Sequence, residues 1–144
     1  MQEEPFPNLD EIYKRRIGTA LAVLDETVCE FEQWAKGREI HSVLYSESNR
    51  LTPEQREGVL SEVGKIRDVL AKVKATFGLQ ENIRNASNSI WSLCSGLWAT
   101  IAEMTSKRLK GYGEPPPGFS EYWEPKISEL EEHINHILEV LKRN

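Results

Sequence analysis

The chain contains few cysteines and no excess of basic residues. Cys29 and Cys94 are its two cysteines in 144 residues, too few for a disulfide framework. The 18 basic residues are outnumbered by 23 acidic ones, which gives a formal charge of −5. A protein whose main function is to bind the phosphate backbone of a nucleic acid normally carries a basic face. We therefore expect reduced thiols and no nucleic-acid partner.

The sequence also lacks the alternation of apolar and polar residues that is typical of strands, and it lacks long apolar runs. The uncharged stretch 85–102 approaches the length of a membrane-spanning helix, but it contains several serine and asparagine side chains that lipid does not tolerate well. The acidic, proline-broken residues 1–10 do not resemble a secretory signal. The expected location is therefore the cytoplasm, without a membrane partner.

Most of the chain shows the spacing of amphipathic helices, with apolar residues every three or four positions. The predicted helices cover residues 9–36, 38–46, 53–77, 80–110 and 121–142, with a break or bend of the first near Gly37. Asn8 or Asp10 can cap the first helix, and Thr52 with Gln55 predicts a capping box before the third. These elements predict one all-α domain, 1–144, built as an up-and-down four-helix bundle.

The predicted helix 80–110 is the most apolar, since its apolar residues cover nearly half of its circumference. A helix in a four-helix bundle needs only about three apolar positions per heptad. One apolar side of this helix therefore exceeds what the bundle core needs, and we expect another protein surface to cover it. Tryptophan is enriched in protein interfaces. Packing in the protein core is the ordinary alternative to an interface for the apolar residues of this helix, and above all for Cys94. We expect an interface at Trp91, Cys94, Trp98 and Leu109, with Trp98 buried either in the bundle or in a subunit contact.

The last predicted helix carries the densest cluster of possible metal ligands: Glu129, Glu132, His133 and His136. The two histidines project away from the apolar seam of this helix, and the Glu-x-x-His spacing of di-iron bundles is absent. The Glu-x-x-Glu spacing at Glu54/Glu57 and Glu129/Glu132 is that of all-α nucleotide pyrophosphatases, but it also arises by chance in acidic helices. We therefore expect a solvated charged face, without a metal or another cofactor.

These patterns favour a non-enzymatic helical interaction module that self-associates, with a homodimer as the expected assembly. The alternative is a small-ligand-binding or metal-dependent enzyme with a site between helices. A cavity lined by several convergent polar groups would favour that alternative.

Overall fold

The computed structural model describes Phe6 and residues 9–142, and this part of the chain is built from helices joined by loops. The α-helices are α1 (Glu11–Ala35), α2 (Pro53–Phe77), α3 (Ala86–Ala102), α4 (Ser106–Leu109) and α5 (Phe119–Lys142). Within the described residues there is no strand beyond an isolated bridge, and no helix is long and apolar enough to cross a membrane. The all-α class is confirmed, while the up-and-down four-helix bundle stays a prediction.

The helices form two compact units, the first extending to Asn82 and the second beginning at Ile83. In the first unit, α1 and α2 pack through the buried side chains Val28, Ala35 and Val63. In the second unit, α3 and α5 enclose the buried side chains Cys94, Ile101, Ile127, Ile134 and Leu138. Each unit therefore has a small core formed by one pair of helices. The prediction of a single domain, 1–144, stays a prediction.

The ends of α1 and α2 follow local capping signals. The Asp10 side chain accepts a hydrogen bond from the Ile12 amide at 2.9 Å, whereas the alternative cap, Asn8, lies outside the described residues. The prediction of 53–77 for the next long helix is confirmed, with the capping box between Thr52 and Gln55 in place. Gly78 ends α2 in the left-handed conformation, with φ of 64°.

The predicted short helix 38–46 is wrong. Gly37 adopts a φ of 100°, which turns the chain away from the axis of α1. The following residues form a tight reversal closed by an isolated bridge between His41 and Ser46. Side-chain hydrogen bonds to Glu47 hold this loop in its non-helical conformation. The apolar residues within 38–46 therefore do not line one face of a helix.

The single predicted helix 80–110 is also wrong, because it is shorter and interrupted. Asn85 caps α3 by accepting hydrogen bonds from the Ser87 and Asn88 amides, and α3 ends at Ala102. The chain then forms α4 and a 3₁₀ turn at Lys110–Tyr112. Two side chains of α5 stabilise the break: Trp123 Nε1 donates to the Met104 carbonyl at 2.6 Å, and a Glu124 carboxylate oxygen accepts the Ser106 amide at 2.7 Å.

Candidate interaction surfaces

The apolar arc of α3 is wider than the strip that α5 covers. Cys94 and Ile101 lie in the middle of the arc and are buried against α5. Since each residue of a helix turns by about 100°, Leu93 and Leu97 lie on one edge of that strip and the tryptophans lie on the other. Leu93 is 68% exposed and Leu97 is 47% exposed. One edge of α3 therefore presents aliphatic side chains to solvent.

Lys142 shows which edges of α3 and α5 lie on the same side of the pair. Its Nζ atom lies 5.8 Å from the ring centroid of Trp91, so the edge of α5 that carries Lys142 flanks the tryptophans. Leu130 and Ile137 lie on the opposite edge of α5 and are about half exposed. The aliphatic edges of both helices therefore lie on the same side of the pair, as one face. We name it the α3–α5 apolar face, formed by Ile90, Leu93, Leu97, Leu130 and Ile137.

The four side chains predicted as an interface lie in different environments. Cys94 is 3% exposed and belongs to the core of the second unit. Leu109 is half-buried in α4, outside α3. Trp91 and Trp98 lie together on the tryptophan edge of α3, and Trp98 is 43% exposed. Trp98 is therefore not buried within a single chain. Its burial in a contact between subunits stays a prediction.

The weak metal candidates on α5 lie on its surface and are paired locally. Glu129 lies 4.0 Å from the Lys126 ammonium group, and Glu132 lies 3.9 Å from His136 Nε2. The His133 and His136 rings meet edge to face, with centroids 5.8 Å apart. In the described ranges, no three His, Cys, Asp or Glu side chains come together as a metal site.

The Glu47 carboxylate accepts four hydrogen bonds in the first unit, and the sequence patterns did not single it out. One of its oxygens accepts hydrogen bonds from Trp34 Nε1 and Arg38 Nε, each at 3.1 Å. The other accepts from the Tyr45 hydroxyl at 2.7 Å and from a second Arg38 nitrogen at 3.0 Å. These hydrogen bonds lower the pKa of Glu47 to about 2, and the bond from Tyr45 has the largest effect.

Asn49 joins the same loop to the end of α1. Its side-chain amide donates to the Trp34 carbonyl at 2.7 Å and to the Arg38 carbonyl at 2.9 Å. Its backbone amide donates to the Glu39 carboxylate at 2.8 Å, which lowers the pKa of Glu39, with His41 contributing a second hydrogen bond. Because all of these partners belong to the loop or to α1, the network serves to fix the loop.

An open groove of about 660 Å³ runs between α1 and α2 at the end of the unit where the loop lies. Its lining is mostly apolar and consists of Phe31, Leu51, Gln55, Gly58, Val59, Glu62, Val63 and Ile66. Gln55 and Glu62 are the polar side chains of this lining, and Gln55 already bonds to the Thr52 amide. The groove is therefore suited to an apolar group.

No family model, curated protein or solved structure matches this chain. The function has to be inferred from the surfaces that the chain itself presents.

Proposed function

We propose that the protein is a non-enzymatic interaction module that self-associates through its α3–α5 apolar face. The observation that carries this proposal is that exposed aliphatic side chains lie on the same side of two packed helices. Large exposed apolar patches on folded proteins are typical of contact surfaces. The expected assembly is a homodimer, and the expected location is the cytoplasm.

The small size of the core explains why a second copy would be favourable. Among the described residues, the second unit buries five apolar side chains between two helices, and paired helices generally need further layers to complete a core. When two such pairs meet face to face, four helices surround one core, as in a four-helix bundle. A twofold axis would bring the same face of each copy together and close the assembly.

The charge distribution of α3 is compatible with this arrangement. From residue 86 to residue 102 the sequence of α3 contains no charged side chain. Two copies of α3 can therefore approach each other without repulsion between like charges. A strongly charged partner would find no electrostatic complement on this helix.

The enzyme alternative requires convergent polar groups at a cavity. The α1–α2 groove has two polar side chains in its lining, Gln55 and Glu62. The Glu47 carboxylate uses both of its oxygens for hydrogen bonds within the protein. These features support the interaction module over an enzyme.

Two neighbouring residues of similar exposure provide a matched test. Leu97 lies on the α3–α5 apolar face, and Trp98 lies on the opposite edge of the same helix. We expect Leu97→Lys to shift the transition from monomer to dimer to higher concentration in light-scattering chromatography, and Trp98→Lys to leave this transition unchanged. Lysine is a good helix former, so both variants should retain the helical circular dichroism spectrum.

The opposite result would place the contact on the tryptophan edge. If Trp98→Lys dissociates the dimer while Leu97→Lys does not, the α3–α5 apolar face is the wrong surface. If the unmodified chain is monomeric throughout the concentration series, the proposal of self-association is wrong.

A further inference from the structure

The loop between α1 and α2 presents two large apolar side chains at the tip of its reversal. The Ser42 amide donates to the Tyr45 carbonyl at 2.8 Å, which leaves Val43 and Leu44 between them. Val43 is 93% exposed and Leu44 is 99% exposed. Glycine, proline, asparagine, aspartate and serine normally occupy such positions. Two fully solvated aliphatic side chains here are therefore unusual, and we name them the Val43–Leu44 tip.

The tip is held in place by the groups on either side of it. Behind the Ser42–Tyr45 bond, the Glu47 amide donates to the Ile40 carbonyl at 2.8 Å. The Tyr45 hydroxyl donates to the Glu47 carboxylate, which Trp34 and Arg38 also bind. A tip that is already ordered loses little conformational entropy when it binds, so this loop is well suited to insertion into a preformed site.

A site of matching chemistry lies at the same end of the first unit. The α1–α2 groove begins beside Leu51, only a few residues after the tip, and its apolar lining includes Phe31, Val59 and Ile66. The groove is open to solvent, and its volume of about 660 Å³ leaves room for two aliphatic side chains. The unit thus carries both a projecting apolar tip and an apolar recess.

The charges around the tip argue for a protein partner over a lipid surface. Residues 38–50 contain two arginines and two glutamates, and Arg38 is paired with Glu30 and Glu47. A loop that binds anionic membranes normally carries a cluster of basic residues. Here the surroundings are balanced, so apolar insertion has no electrostatic support from a membrane.

We propose that the Val43–Leu44 tip of one copy inserts into the α1–α2 groove of a second copy. Because tip and groove lie at the same end of the unit, a twofold axis allows two copies to exchange tips in one reciprocal contact. This contact uses the first unit alone and is separate from the α3–α5 apolar face. The protein therefore has two surfaces for self-association.

The test uses the full chain carrying Leu97→Lys, so that the α3–α5 apolar face does not contribute. In this background we expect concentration-dependent association in sedimentation velocity. The double variant Val43→Ser/Leu44→Ser should raise the dissociation constant by about 100-fold or more, since both side chains would be buried anchors. Its melting temperature should be unchanged at concentrations where the protein is monomeric, because the tip makes no packing contact in the free chain.

A variant of the groove provides the second half of the test. A Cβ atom added at Gly58 meets no atom within 4 Å, and replacing a helical glycine favours the helix. Gly58→Leu should therefore keep or raise the melting temperature while it fills the groove and blocks association. An equimolar mixture of the tip variant and the groove variant retains one intact tip and one open groove, so it should associate where neither variant does alone.

Several results would overturn the proposal. The first is a Leu97→Lys chain that remains monomeric up to about 100 µM. The second is association that neither the tip nor the groove variant weakens, and the third is a mixture that fails to associate. Binding of the chain to neutral phosphatidylcholine vesicles that is lost in the tip variant, with unchanged association, would assign the tip to a lipid surface and also overturn it. None of these results depends on whether the unmodified chain dimerises through its α3–α5 apolar face.

Discussion

Glu47 fixes the loop between α1 and α2 because its ionised carboxylate accepts four hydrogen bonds. An ionised carboxylate has about four acceptor positions, and Tyr45, Trp34 and Arg38 occupy them. Arg38 also lies 5.3 Å from the Trp34 ring centroid, so the indole and the guanidinium group position each other. The carboxylate therefore holds the loop through both of its oxygens.

Replacement of this carboxylate should remove the part of the loop's acid dependence that comes from Glu47. The folded-state pKa of Glu47 is about 2, below its ordinary value of 4.5, so ionisation stabilises the folded loop above pH 4.5 and this contribution is lost as the pH falls towards 2. We expect Glu47→Gln to melt at a lower temperature than the unmodified chain at pH 7. The difference should shrink between pH 4.5 and pH 2 in a series of thermal melts. A difference that is the same at every pH would contradict this role.

At the scale of the element, α2 is the helix that its own sequence defines most completely. Its start has a capping box with proline at the first turn, and its end has a left-handed glycine. Because these signals act over a few residues, they can be recognised without knowledge of the fold. This is why the bounds Pro53–Phe77 could be predicted from the sequence.

Loss of the cap at Thr52 should destabilise the first unit measurably. Thr52→Ala removes the hydroxyl that accepts the Gln55 amide at 3.1 Å, and such caps contribute about 0.5–2 kcal/mol. Ser61→Ala, at an exposed site inside α2, is the matched control and should change the free energy of unfolding little. Equal effects of both variants in urea titrations would show that the cap does not stabilise the helix.

The elements that were predicted wrongly depend on residues far away in the sequence. The break after α3 is stabilised by Trp123 and Glu124 of α5, which bond to Met104 and Ser106. The periodicity of 80–110 alone contains no sign of these partners. The loop 38–46 similarly depends on Glu47 and Asn49, whose roles follow only from the folded arrangement.

The α3–α5 apolar face could likewise be predicted from the sequence only in part. The sequence indicates that α3 has an excess of apolar residues, and the helical period places Leu97 and Trp98 on different edges. Which edge continues onto another helix depends on how α5 packs, and the contact between Lys142 and Trp91 is what reveals it. The tryptophans are the largest side chains of α3, whereas the exposed aliphatic side chains of α3 and α5 lie on the other side.

At the scale of the whole molecule, stability depends on a few buried side chains in each unit. Ile127 is buried in the core of the second unit, and Ile137, on the same helix, is half exposed on the α3–α5 apolar face. In the Leu97→Lys background, we expect Ile127→Ala to lower the free energy of unfolding by about 2–5 kcal/mol. Ile137→Ala should cost clearly less in that background. Equal losses in denaturant titrations would contradict the assignment of core and surface on α5.

The most direct test of self-association is the mass of the unmodified chain in solution as a function of its concentration. The chain has a mass of 16.5 kDa. Sedimentation equilibrium at micromolar concentration and above should give twice this mass or a higher multiple, and dilution should return it towards that of one chain. Leu97→Lys should shift this transition to higher concentration. A mass of 16.5 kDa at every concentration would show that the chain does not self-associate.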